Sequence, residues 1–146
     1  MTGFDADDLT RLRVVLARIA RALDRQTRGD QLTRTQASAL ATIARRGPIR
    51  ISEVAEIEGV HPTMLSRIIG KLEATGLLRR SADPADGRVA HVETTPAGTA
   101  LHLRLRAERT DLLNRQLAAM PQDQAARLLA ALPALESLAR QLVEEP

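Results

Sequence analysis

Thr63, Ser66, Arg67, Gly70 and Lys71 stand at i, i+3, i+4, i+7 and i+8, a spacing that lines one side of a helix with small, polar and basic groups. The chemistry on offer is recognition without covalent change. Short side chains let a helix backbone approach a groove, hydroxyls meet base edges or phosphates, and an arginine pairs bidentately with guanine O6 and N7. Leu65, Ile68, Ile69 and Leu72 fall on the opposite side and predict the buried face. Pro62 suits the first turn of this helix, where its missing N–H has no helical partner. Further along, Arg88 closes the run Asp83-Pro84-Ala85-Asp86-Gly87-Arg88. A loop arginine of this kind suits the minor groove, where narrow A·T-rich segments concentrate negative potential. Asp86, two residues earlier, reads as the residue that positions Arg88 and not as a contact of its own. Many amphipathic surface helices expose Ser, Thr, Arg and Lys, so the neighbouring elements decide how this one is read.

Other chemistries lack their residues. The chain has no cysteine, which removes disulfides, thiol catalysis, thiol redox sensing and Cys-containing zinc sites. His61, His91 and His102 are scattered over a turn, a strand and a helix without ligand spacing, so no metal site is expected and packing or surface roles are. No Gly-rich phosphate loop, acid pair or partnered histidine marks a catalytic constellation, and no cofactor or enzymatic activity is expected.

The 146 residues fit one domain, or one compact lobe with helices that pack on a partner. Hydrophobic residues make up 44% of the chain but include a single aromatic, Phe4, so the core must be aliphatic, as in packed helices. The net charge is only +3, with Lys71 the one basic residue that is not arginine. Bulk charge is too small to imply nucleic acid; affinity would depend on where the cations point. The acidic N-terminus and the lack of a long apolar run predict neither secretion nor membrane insertion and suggest a cytoplasmic protein.

Leu9, Leu12, Leu16, Ile19 and Leu23 predict a first helix ending near Gly29. Thr33 and Gln36 form a capping box ahead of a second helix, with Ala37, Leu40, Ile43 and Ala44 on one face, which stops at Gly47-Pro48. Ile49 to Ile51 allow a strand stub. Ser52 is the expected N-cap of a third helix, with Val54, Ala55 and Ile57 inward and Gly59 closing it. After the Pro62 helix, which runs to Thr75-Gly76, Leu77 to Ser81 and Val89 to Thr94 read as a hairpin. The order helix, turn, helix, hairpin predicts a winged helix-turn-helix. The fold class is mainly α (α+β).

Thr95-Pro96 opens a long helix carrying Leu101, Leu105, Leu112, Leu113, Leu117 and Met120. Beyond Pro121 come Leu128, Leu132, Leu135, Leu138 and Leu142, with Pro133 expected to kink or break the helix. These segments and the first helix present more apolar face than a lobe of residues 31–94 can cover. Residues 1–30 and 95–146 are therefore read as a dimerisation region, and 31–94 as the DNA-binding lobe. Two-fold symmetry would set two recognition helices about 34 Å apart on a pseudo-palindrome of double-stranded DNA.

Ile-Ser-Glu-Val-Ala from 51, His-Pro-Thr-Met-Leu-Ser-Arg-Ile-Ile from 61, Gly-Leu-Leu-Arg-Arg from 76, the Asp83 to Arg88 run and Thr-Thr-Pro-Ala-Gly from 94 resemble the MarR (multiple antibiotic resistance regulator) family over nearly the whole chain. Asp86, Arg88, Thr95 and Gly98 fall at the places of that family's wing motif, with Thr94 where Leu is usual. The resemblance implies a transcriptional regulator that acts as a repressor, with DNA contacts at Pro62, Thr63, Ser66, Arg67 and Lys71 and with Arg88 in the minor groove. Gly70 stands where members often carry a polar or acidic residue, and Gly87 replaces a frequent second wing arginine. The resemblance also implies a small lipophilic or aromatic acid as effector, held between the dimerisation helices and the lobe; Arg18 and Arg21 are the candidates to meet its anion. The alternative is a winged-helix module that binds protein and not DNA.

Overall fold

The computed structural model describes residues 3–25 and 32–144. The elements run α1 (Ala6–Arg25), α2 (Arg34–Arg46), β1 (Ile49–Arg50), α3 (Ile51–Glu58), α4 (Pro62–Ala74), β2 (Leu78–Ala82), β3 (Ala90–Thr94), α5 (Pro96–Ala118), α6 (Gln122–Ala130) and α7 (Leu132–Glu144). The expected end of the first helix near Gly29 lies outside the described residues. The chain divides into two compact units, 1–109 and 110–146, with α5 running across the division.

In the first unit the capping box forms as the sequence predicts. The Thr33 hydroxyl accepts from Gln36 N–H, and the Gln36 amide oxygen accepts from Thr33 N–H. This starts α2 and buries Gln36, Ala37, Ala39, Leu40, Thr42 and Ile43. Thr42 is satisfied by a 2.6 Å hydrogen bond to Glu58 at the end of α3, joining the two helices. β1, only Ile49 and Arg50, pairs antiparallel with β3, placing Ile49 opposite Val92. β3 also pairs with β2 over five residues, so the sheet order is β1-β3-β2.

Two local expectations are corrected. Ser52 is not the N-cap of α3, because β1 leads straight into the helix. Arg50, already extended to pair with His91, becomes the cap, and no side chain caps the turn. Ile57 is 45% exposed, since it stands off the i, i+3, i+4 stripe of Ile51, Val54 and Ala55 that packs inward. Gly59 ends α3 as expected, at φ 60°, a left-handed conformation that costs a residue without Cβ little.

One aliphatic core unites the lobe. Leu40, Ile43, Val54, Leu65, Ile69, Leu72 and Val92 are essentially inaccessible, and Leu32, Ile51, Val60, Leu77 and Leu101 pack against them. α5 joins through Leu101, and its Leu105 is also buried. Its start is tied down by Thr95, whose hydroxyl accepts from Gly98 N–H as an N-cap and donates to the Gly76 carbonyl. Thr95 N–H also reaches the Leu77 carbonyl.

α1, also within the first unit, buries none of its residues: Leu9, Leu12, Val15, Leu16 and Ile19 all remain exposed. In the second unit α6 stops at Ala130 and α7 begins at Leu132, so Pro133 sits in the first turn of a new helix, as the expected break requires. Leu128, Leu129, Leu132 and Leu142 are exposed there. Among the described residues no helix is long and apolar enough to cross a membrane.

Candidate nucleic-acid interface

α4 divides as its sequence predicts: Leu65, Ile68, Ile69 and Leu72 are buried, and Pro62, Thr63, Ser66, Arg67, Gly70 and Lys71 are exposed. His61 caps the helix, its Nδ1 accepting from Thr63 N–H at 3.2 Å, and Pro62 takes the first helical position. This gives His61 a structural role, and it places Thr63 where the helix N-terminus points its free N–H groups outward.

A groove of about 550 Å³ runs between this outer face and the first turn of α2. Thr63, Arg67 and Lys71 line one wall and Thr33, Thr35 and Gln36 the other, with Met64, 58% exposed, at the rim. Pro62 and Ser66 lie on the same exposed face but outside the groove. Thr35 and Met64 were not anticipated. The signal for Met64 was an apolar residue standing off the buried stripe.

Arg88 lies in the exposed loop between β2 and β3. Asp86 Oδ1 accepts from Arg88 N–H at 3.0 Å, and the Asp86 carbonyl accepts from Val89 N–H, so Asp86 holds the backbone of Arg88 and not its guanidinium. Arg67, Lys71 and Arg88 have no acidic partner among the described residues. Two cations of β2 are engaged: Arg80 with Glu73 at the end of α4 at 2.6 Å, and Arg79 with Glu93 across the hairpin at 2.7 Å. Such exposed pairs contribute little to stability, about 0–1 kcal/mol each, but they hold side chains in place. The unpaired cations are those whose charge is left for an external anion.

Beneath the loop sits a group the sequence reading passed over. Asp83 is buried, and its carboxylate accepts from Ala85 N–H at 2.7 Å and Asp86 N–H at 3.3 Å. His91 Nε2 stands 3.2 Å away and the Arg50 guanidinium 3.5 Å away. The Ala85 N–H, then the Asp86 N–H, and the charges of His91 and Arg50 hold its carboxyl below the usual carboxylate range against the opposing effect of burial. The Asp-x-x-Asp spacing ahead of Arg88 was the available signal.

Arg18 and Arg21 are exposed on α1, where they and Arg25 border a shallow, open depression with Ile19 and Ala22. Among the described residues no group of three or more His, Asp or Glu side chains gathers to hold a metal.

Residues 32–90, from α2 through β2 and the wing loop, match the sequence profile of the MarR family. Over these residues the chain carries a MarR-type domain. With that it is a transcriptional regulator and not an enzyme. An uncharacterised HTH-type transcriptional regulator of Mycobacterium bovis is 29% identical over 120 residues, 82% of this chain and 84% of the relative. The fold aligns with the crystal structure of RV1404 from Mycobacterium tuberculosis at a TM-score of 0.80 and 21% identity, covering 94% of this chain and 96% of that one. It aligns also with Streptococcus pneumoniae FabT, crystallised in complex with DNA, at a TM-score of 0.76 and 17% identity, covering 94% and 99%.

Proposed function

We propose that this MarR-family regulator is a cytoplasmic homodimeric repressor that reads a pseudo-palindromic operator with Pro62, Thr63, Ser66, Arg67 and Lys71 in the major groove and Arg88 in the minor groove. One observation carries the reading: the outer face of α4 and the wing present Arg67, Lys71 and Arg88 without acidic partners among the described residues, while Arg79 and Arg80 beside them are paired. Unpaired cations neutralise phosphates and displace the counterions condensed on DNA, whose release favours binding.

The dimer reading, with residues 1–30 and 95–146 as its interface, is supported by apolar surface that each unit leaves open. α1 exposes Leu9, Leu12, Leu16 and Ile19, and the second unit exposes Leu128, Leu129 and Leu132. Burying a fully exposed side chain of this kind is worth about 1.5–3 kcal/mol, and these, 39–51% exposed, would gain roughly half of that each, which favours a second copy over solvent. A small lipophilic or aromatic acid relieves repression in this reading, with Arg18 and Arg21 offering charge beside the apolar Ile19 and Ala22.

The test is salt-dependent binding of wild type, Arg67→Ala and Arg88→Ala to duplex DNA from upstream of the protein's own gene, against generic duplex. The expected preference for its own upstream DNA is roughly 10³ or more, reduced in both variants. Equal binding to both duplexes, silent substitutions and an empty genome-wide selection would replace the operator reading with a protein-binding winged helix.

A further inference from the structure

The loop that carries Arg88 has the short length and exposed residues of a mobile hairpin tip, yet its backbone is pinned from below. Asp83 follows directly on β2, and its side chain is only 7% exposed. Among the described residues it is the one carboxylate in the buried set. A buried carboxylate is an acceptor only and is costly unless its lone pairs are met. Here they are met from four directions. Oδ1 takes the N–H groups of Ala85 and Asp86, and Oδ2 faces His91 on β3 and Arg50 on β1. Asp83 N–H closes the loop by donating to the Val89 carbonyl at 3.0 Å. The chain of bonds continues upward: Asp86, fixed through its own N–H by Asp83, fixes Arg88 N–H with its carboxylate.

We propose that Asp83 is a positioning residue of the DNA contact: it anchors the wing loop to all three strands and, through Asp86, sets where Arg88 is presented, without touching DNA. The inference rests on the reading of Arg88 as a DNA contact. A direct contact by Asp83 is disfavoured by its burial and by its charge, which phosphate would repel. Its partners are not interchangeable with solvent. Removing the carboxylate would strand two loop N–H groups and leave His91 and Arg50 facing a cavity, so the loop would sample other conformations and Arg88 would lose its fixed entry angle.

The experiment is a double-mutant cycle on a duplex recovered by selection from a random-sequence library with the wild-type protein. Arg88→Ala, Asp83→Ala and the pair are titrated at several salt concentrations, with Asp83→Asn as the conservative variant. Arg88→Ala is expected to weaken binding roughly tenfold or more and to lower the salt slope by about one. Asp83→Ala is expected to do the same, and the pair to be no weaker than Arg88→Ala alone. Asp83→Asn, whose amide oxygen still accepts from Ala85 and Asp86, is expected to recover part of the loss. A purely structural role would instead multiply the two losses and leave the salt slope of Asp83→Ala at the wild-type value; either result overturns the inference. If Asp83→Ala does not fold, the cycle is run with Asp83→Asn against Arg88→Ala under the same criteria. A silent Arg88→Ala would remove the wing contact itself, and this inference with it. Loss at Arg88 with independent behaviour at position 83 would overturn the positioning role alone.

Discussion

Gly98 packs so tightly on Leu77 that a Cβ built on it would lie 2.0 Å from the Leu77 carbonyl oxygen and 2.9 Å from its carbonyl carbon. That contact seats α5 on the turn where α4 passes into the wing, and the Thr95 N–H and hydroxyl clasp the same turn. The obstacle is backbone, so it cannot rotate away. Gly98→Ala is expected to destabilise the lobe by about 2–3 kcal/mol, read as a lower urea midpoint at unchanged slope. An unchanged midpoint would mean that α5 does not rest on Leu77 in solution.

Gly70 is the opposite case. It lies mid-helix on the exposed face of α4, and nothing stands within 4 Å of the position its Cβ would take. Gly70→Ala is therefore expected to stabilise the protein by up to about 1 kcal/mol through helix propensity. The same urea titration reads it, and a lower midpoint would contradict the open surroundings.

Much of this architecture was legible because it depends on local pattern. The Thr33–Gln36 capping box, the Pro62 start and the stripe of Leu65, Ile68, Ile69 and Leu72 are consequences of neighbours within one or two turns. What failed depended on distant strands. Ser52 is a good capping residue by composition, but pairing of Arg50 with His91 begins α3 one residue earlier than a Ser52 cap allows. Ile57 looked inward because it is apolar, yet it stands off the stripe of Ile51, Val54 and Ala55 that packs on the core. Asp83 showed only as the first member of an Asp-x-x-Asp spacing, because its partners Arg50 and His91 come from β1 and β3, and only the sheet order β1-β3-β2 brings them to one carboxylate. Of the expected site, the helix face was readable from spacing, and the support beneath the wing was not.

His102, on α5, faces Arg45 from α2 and Arg106 and Arg109 from its own helix. Burial, then these three guanidinium groups, push its pKa below the ordinary 6.5. The unfolded chain thus binds the proton at a higher pH than the folded one. Stability is fully present above about pH 6.5 and declines as pH falls from there through the folded pKa. Asp83, also depressed, adds its own loss only below about its ordinary 3.8, so the two windows are separate. Urea midpoints measured from pH 7.5 down to 5 should fall for the wild type and stay flatter for His102→Gln. Parallel curves would assign the acid sensitivity elsewhere.

Leu16, 39% exposed, lies on the apolar side of α1 with Leu9, Leu12 and Ile19. If a second copy covers that side, Leu16→Glu places a charge in an apolar interface and should shift sedimentation from dimer to monomer at micromolar concentration. The lobe core contains no α1 residue among its buried members, so its helical signal should survive. An unchanged dimer would put the interface on other faces.

Arg67 and Lys71 line the same groove one turn apart, yet they should fail differently. A guanidinium forms two parallel hydrogen bonds to one guanine edge, whereas an ammonium is a compact charge that suits phosphate. Arg67 is nearer the start of α4, where a recognition helix meets bases, and Lys71 lies in its last turn. Arg67→Ala is therefore expected to cost about 1–3 kcal/mol on the preferred duplex and much less on single-base variants at its contact position, relaxing specificity there. Lys71→Ala should weaken binding to all duplexes by a similar factor and lower the salt slope by about one. Titrating both variants against the preferred duplex and a panel of single-base changes separates the two roles. A uniform loss for Arg67→Ala, with unchanged preference at every position, would move Arg67 to the phosphate backbone and leave base reading to Thr63 and Ser66.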